Sequence, residues 1–422
     1  MARKMRDSGV EWIGEVPEWW SISRVKNVAD INHGQDPVTE GAIPVYGSGG
    51  GSFKTCGEYK DGPTVLLGRK GTIDAPHYVE GKYWNVDTAF DVKTKADVSL
   101  KWFYYLAICF DYKSYVSQTA VPSMTQSDYR NMAIPCPSYN EQRRIADYLD
   151  EKCAAIDGAV GELKRGIEDC KAWKKAIIFE AVTGKKRVGF NAEKQRGRVA
   201  ERQMRDSGIP WIGEIPEGWE VSRVKNECIN LDSLREPISA ENRENKQGLY
   251  DYYGASGVID KIDDYNVDDT VLLIGEDGAN LRMRNLPLVY KATGKFWVNN
   301  HAHILKPKEG RDYDFMAYAL EAGDYNDFIT GSAQPKLSQA NLMAYPIVLP
   351  HLTEQQAIAD YLDEKCAAID ALVAEKEKLI ADLDAYKKSL IFELVTGKRD
   401  LALPRQAQDG ALPRQAQNGE VA

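Results

Sequence analysis

The sequence predicts an α+β protein: two α/β modules separated by two long helices, which pair as an antiparallel coiled coil about a pseudo-twofold internal repeat. Three observations carry that expectation. The 422-residue chain is too long for one ordinary domain. It is written twice, and each copy ends in a long stretch with heptad spacing. Hydrophobic residues at 43% and charged residues at 28% give the balance of a globular chain able to bury a core in each half.

The repeat is explicit. MRDSGVEWIGEVPEWWSISRVKN, beginning at Met5, returns as MRDSGIPWIGEIPEGWEVSRVKN, beginning at Met204, with 17 of 23 positions identical. IADYLDEKCAAID at Ile145–Asp157 returns unchanged at Ile358–Asp370, and IIFEAVTGK matches LIFELVTGK. The offsets are 199 and 213 residues, so the second copy is 14 residues longer between its shared blocks. Between those blocks only anchors agree, among them Tyr46-Gly47 with Tyr253-Gly254, Trp84 with Trp297, and Pro122 with Pro335. Near-identical flanks around divergent middles imply one scaffold presenting two different surfaces.

The elements follow in order. The first module covers 1–137, where TVLLGRKG from Thr64 reads as a buried strand entering a glycine turn and KWFYYLAICF from Lys101 reads as a helix. The first long helix covers 138–186, with a seam of Leu149, Ile156, Val160, Ile167, Cys170, Ile177 and Ala181. Gly158, Gly161 and Gly166 weaken it by about 1 kcal/mol each relative to alanine. Residues 187–203 form a linker. The second module covers 204–350, with TVLLIGEDG from Thr270 as a strand and YDFMAYALEA from Tyr313 as a helix. The second long helix covers 351–399, where Thr353 after Pro350 can cap. Its seam, Leu362, Ile369, Val373, Ile380, Leu383, Leu390 and Leu394, is spaced 7, 4, 7, 3, 7 and 4. Both helices stop at a glycine followed by basic residues, Gly184 and Gly397. The nine-residue repeat in 400–422 reads as a disordered tail.

Composition narrows the function classes. No apolar run approaches the ~20 residues of a membrane span, and MARKMRDSG lacks the apolar core of a signal peptide. Seven cysteines with no CxxC pair argue for a reducing compartment, so a cytoplasmic location is expected. A net charge of −9 argues at first against nucleic acid, but the charge is uneven. Residues 138–203 carry 15 basic against 11 acidic side chains, whereas 204–350 carry 15 against 23. Local basic patches can bind phosphate because distant acids are screened beyond about 8 Å.

Motifs of catalysis are missing from the sequence. There is no GxxxxGK[ST] phosphate loop and no Asn/Asp-Pro-Pro-aromatic tetrapeptide for holding a target amine. Asp74, Glu80 and Lys82 loosely fit the acid-x-lysine spacing of a magnesium nuclease, a pattern too degenerate to carry weight. His301 and His303, two apart, share one strand face as base contacts or plain surface rather than as a metal pair. The reading is a chain with no metal and no cofactor of its own, and with no bond-making chemistry.

The paired starts WIGEVPEWW and WIGEIPEGW, the module ends AIPCPSYNEQRRIADYLDEK and PIVLPHLTEQQAIADYLDEK, and the helix ends IFEAVTGK and IFELVTGK together resemble the specificity (S) subunit of type I restriction–modification enzymes. The resemblance covers roughly residues 5–399. It implies two target recognition domains, each reading half of a split sequence in double-stranded DNA, with the helices as spacer. It also implies two methyltransferase (M) subunits that use S-adenosylmethionine, and restriction (R) subunits that use ATP and Mg2+. Polar residues beside the glycine turns are the candidates for DNA contact. These are Lys54, Arg69, Lys70 and Ser123 in the first module, and Asn280, Arg282, Arg284 and Lys336 in the second. Two other readings stand beside this one: a free-standing two-module DNA-binding regulator, and a protein scaffold built on the coil.

Overall fold

The computed structural model describes residues 3–116, 121–188 and 202–401. Most of the expected linker and of the expected tail, residues 189–201 and 402–422, therefore lies outside the described residues. The chain divides into two compact units, Met1–Leu163 with Lys378–Ala422, and Lys164–Glu377. Each unit holds one module, the first part of the helix that follows it, and the last part of the other long helix.

In the first unit, the buried run Thr64–Gly68 sits inside an antiparallel sheet. Its strand order is Ala29–His33, Ala89–Thr94, Thr64–Gly68, His77–Val79. A second sheet pairs Ile43–Tyr46 in parallel with Lys82–Asn85. The helix Leu100–Ile108 starts at Ser99, whose hydroxyl accepts from the Trp102 amide, and its aromatic face enters the core with Trp20, Phe90 and Tyr129. In the second unit, the equivalent run lies within Val267–Gly275 of a six-stranded sheet. The equivalent helix, Tyr313–Glu321, is capped by Asp312.

The two long helices run Tyr139–Val182 and Leu352–Val395. They pair antiparallel within each unit. In the first, Ile145 and Leu149 share a core with Leu390 and Leu394, while Ile156 and Val160, further along, cluster with Leu383. Lys387 closes on Asp157 at 2.7 Å. In the second, Ile177 and Ala181 share a core with Leu362 and Ile369, and Lys174 reaches Asp370 at 2.6 Å. The seam is thus buried as the heptads require, with Ile167 and Cys170 also inside and Val373 and Ile380 half-covered.

The junction between module and helix is built the same way twice. Buried Gln142 accepts from the Ser99 amide at 2.9 Å and donates to Pro137 O at 3.0 Å. Gln355 makes the same pair of bonds with Asp312 and Pro350. The Trp20 indole donates to Glu141, which also receives Arg3; Trp219, Glu354 and Arg202 repeat the arrangement. Thr353 does not cap the second helix: that helix begins a residue earlier, with the Glu354 and Gln355 amides donating to His351 O.

The glycines divide by sign. Gly397 has φ +76°, and a Cβ there would lie 2.4 Å from Pro17 Cδ and 3.1 Å from the Trp20 ring. Gly158 faces open space on the helix. Gly397→Ala is therefore expected to destabilise by about 2 kcal/mol or more, from left-handed strain plus overpacking. Gly158→Ala should stabilise by about 0.5–1 kcal/mol through helix propensity. Urea denaturation of the two variants beside the parent checks both signs.

Candidate nucleic-acid interface

Each buried central strand ends in a turn, and the two turns share one backbone frame. After Thr64–Gly68 the chain continues as Arg69-Lys70-Gly71; Gly71 N donates to Pro122 O at 2.9 Å and Met124 N to Arg69 O at 3.0 Å. Lys70 and Ser123 form an antiparallel bridge. After Val267–Gly275 the chain continues as Glu276-Asp277-Gly278. There Gly278 N donates to Pro335 O at 3.0 Å, Leu337 N donates to Glu276 O at 2.8 Å, and Asp277 bridges Lys336. Gly71 and Gly278 have φ of +80° and +102°, which only glycine adopts without strain. Ser123 and Lys336, each following one of the matched prolines Pro122 and Pro335, therefore hold equivalent places in the backbone.

In the first module, Arg69, Lys70 and Ser123 line a groove of about 310 Å³ with His33, Thr125 and Gln126. Arg69 Nη1 donates to Asp87 O at 3.1 Å and lies 3.4 Å from the Asp87 carboxylate, which Lys70 also approaches at 3.7 Å. These pairs are partly exposed, so they are weak and can be exchanged for a ligand. Thr125 and Asp128 cap the short helix Gln126–Asn131, which fixes the far wall. Lys54 is not in this groove. It sits on the exposed strand Ser52–Cys56 of the other sheet, its ammonium 5.6 Å from the Phe53 ring centre.

In the second module the candidates fall in two places. Asn280, Arg282 and Arg284 belong to a short helix, Asn280–Met283, and its exit. Arg282 and Arg284 line a cavity of about 1100 Å³ together with Lys171, Lys174 and Lys175 from the first long helix. Arg282 is exposed there. Asn280 instead closes its own loop, donating to Leu286 O at 3.1 Å and accepting from Leu286 N at 2.9 Å. Arg284, at φ +51°, reaches the backbone carbonyl and the carboxylate of Glu321 and lies 6.0 Å from the Tyr325 ring centre.

Lys336 lies at the other place, beside the turn, 3.0 Å from Glu276. Burial works to raise the Glu276 carboxyl, but hydrogen bonds from Arg235 and Lys336 outweigh it and hold it below the usual carboxylate range. His303 is fully buried beneath the turn, not on the surface beside His301. Its Nε2 donates to Leu337 O at 2.8 Å, while Nδ1 lies 2.7 Å from Asp232. Burial likewise works to raise Asp232, and the His303 contact outweighs it, so this carboxyl is also lowered. His301 is half-exposed and contacts Asp277 instead.

Asp87, Asp277 and Arg235 were not among the candidates read from the sequence, and His301 was read there only as a base contact or plain surface. Aligning TVLLGRKG on TVLLIGEDG would have found the acidic pair, since it sets Arg69-Lys70 against Glu276-Asp277. Among the described residues, no group of three or more His, Cys, Asp or Glu is placed to hold a metal, and no helix is long and apolar enough to cross a membrane.

The model of the type I restriction modification DNA specificity domain matches residues 17–158 and 216–381. The type I restriction enzyme specificity subunit S.HindORF215P of Haemophilus influenzae is 32% identical over 167 residues, which is 39% of this chain and 41% of that one. The MjaVIII specificity subunit of Methanocaldococcus jannaschii is 25% identical over 358 residues, covering 79% of this chain and 76% of that one. A solved structure described as the basis of complex assembly and conformational transition of the type I R-M system shares the fold at a TM-score of 0.66. It has 14% identity and covers 91% of this chain and 99% of that one.

Proposed function

Because this chain belongs to the type I restriction–modification DNA specificity family, we propose that residues 1–137 and 204–350 are two target recognition domains reading the halves of a split, non-palindromic DNA sequence. The paired helices set the distance between the half-sites. In this reading the long helices are the spacer, and the bases between the half-sites are not read. One observation carries this reading: the two modules repeat a single turn frame but place opposite charges on it, basic at Arg69-Lys70 and acidic at Glu276-Asp277. The same frame with different side chains suits two different base sequences.

In this reading the chain supplies recognition and its partners supply chemistry. Two methyltransferase subunits carry S-adenosylmethionine and methylate adenine; restriction subunits use ATP and Mg2+ to translocate and cut. Arg69 and Lys70 with Ser123 act on the first half-site, and Lys336 and Arg282 on the second. Asn280 and Arg284 keep the loop that carries Arg282 in place, through the Leu286 and Glu321 contacts. Lys54 is left for a phosphate outside the groove. The comparisons give no support to a free-standing regulator or to a protein scaffold.

The test is the adenine methylation map of cells with and without the gene, in the presence of its methyltransferase. A split motif that vanishes on deletion is the expected result; an unchanged methylome in cells expressing the whole system refutes the reading.

A further inference from the structure

We propose that Asp277 is a specificity-determining residue of the second module, where its carboxylate accepts a hydrogen bond from the exocyclic amino group of an adenine or a cytosine. This deepens the reading of the modules as DNA readers and rests on it. In the first module the same turn position is filled by Lys70, beside Arg69, whose donors match the O6 and N7 acceptors of guanine. The two half-sites are therefore read in opposite hydrogen-bonding senses by one backbone frame.

Three features single out Asp277. First, the neighbouring acid is occupied: the Glu276 side chain is 10% exposed and is bonded to Arg235 and Lys336, whereas the Asp277 side chain is 34% exposed. The Lys336 ammonium is thus drawn to Glu276. Second, Asp277 is braced. His301 Nδ1 lies 3.0 Å from Oδ1 and 2.8 Å from Oδ2, which fixes the carboxylate from one side and leaves its remaining lone pairs to a ligand. Third, the floor beneath the turn is rigid, because buried His303 ties Asp232 to Leu337 O and Arg235 joins Asp232 to Glu276. In the first module the corresponding floor is the edge-on contact of His33 with Phe90 at 4.9 Å. A fixed carboxylate repels phosphate, so the contact open to it on duplex DNA is a base amino group in the major groove. His301 is then a positioning residue that acts through Asp277.

The experiment uses the full chain assembled with its methyltransferase subunits and a library of duplexes randomised over both half-sites. Asp277→Leu keeps a similar branched shape but has no acceptor, and should lower base discrimination at one position of the second half-site by on the order of tenfold or more, with the first half-site unchanged. His301→Gln should relax the same position by less. Unaltered discrimination at every position in Asp277→Leu overturns the proposal. So does a uniform loss of affinity with the relative base preferences intact, because Asp277 would then only hold the turn. If the unsubstituted assembly yields no split motif, the underlying reading fails instead.

Discussion

Leu149→Asp is expected to unfold the first compact unit. Leu149 is fully buried where the first long helix meets the second, in the core that also holds Trp20, Trp102, Leu390 and Leu394. Shortening it to alanine forfeits apolar burial and leaves a cavity, worth about 2–5 kcal/mol. Aspartate adds the cost of an ionised carboxylate in an apolar site, several kcal/mol more unless the group takes up a proton. Set against a total of about 5–15 kcal/mol for an ordinary domain, alanine should weaken the unit and aspartate should abolish it. The measurement is amide hydrogen exchange in peptides spanning 139–157 and 12–24, with alanine between parent and aspartate. Parent-like protection in Leu149→Asp would show that the seam does not hold this unit together.

That seam was legible in the sequence because a coiled-coil core repeats locally: spacings of 7, 4 and 3 are visible without knowing the partner. The central strands were legible for a similar reason, as short apolar runs, TVLL and TVLLI, each ending at a glycine turn. The glycine stops were readable too, since a left-handed cap leaves few alternatives at Gly184 and Gly397. The junctions were not. Gln142 and Gln355 are polar residues in the first turn of a helix and look solvated, yet both are buried, because each satisfies a backbone amide more than 40 residues away. Thr353 looked like a cap for the converse reason: residue type favours it, but the helix begins on His351 O.

The candidate site was half legible. Arg69, Lys70 and Ser123 were chosen as polar residues beside glycine turns, and the fold gathers all three in one groove. The same rule chose Asn280 and Arg284, whose hydrogen bonds turn inward to Leu286 and Glu321. Residue type cannot separate an arginine that faces solvent from one that holds a loop; the partner 37 positions along the chain decides it. Asp277 escapes any rule that favours cations for an anionic ligand. That preference suits the phosphates, whereas base edges also offer donors that only an acceptor can read.

The largest functional effect is expected from removing the cations of the first turn together. In Arg69→Ala/Lys70→Ala the groove loses both of its cations while the backbone frame, held by Gly71 and Met124, stays in place. Both side chains currently lean on Asp87, whose carboxylate is 46% exposed, and pairs that exposed contribute little in water. Exchanging Asp87 for DNA is therefore inexpensive, and on the reading proposed above the arginine bridges guanine O6 and N7 while the lysine takes a phosphate. Loss of a bidentate base contact costs about 1–3 kcal/mol of discrimination, so the first half-site should relax by roughly tenfold to a hundredfold at one position. Loss of one phosphate contact should make the logarithmic salt dependence of binding shallower by about 0.9. Asp87→Asn serves as the opposite control: without the competing carboxylate, binding should hold or tighten and the motif should stay the same. All three species are compared as assemblies with the methyltransferase subunits, by titration at several salt concentrations and by sequencing of methylated products. An unchanged salt slope and an unchanged first half-site in the double variant would move the DNA contact elsewhere on the module, with Lys54 on its exposed strand the next candidate.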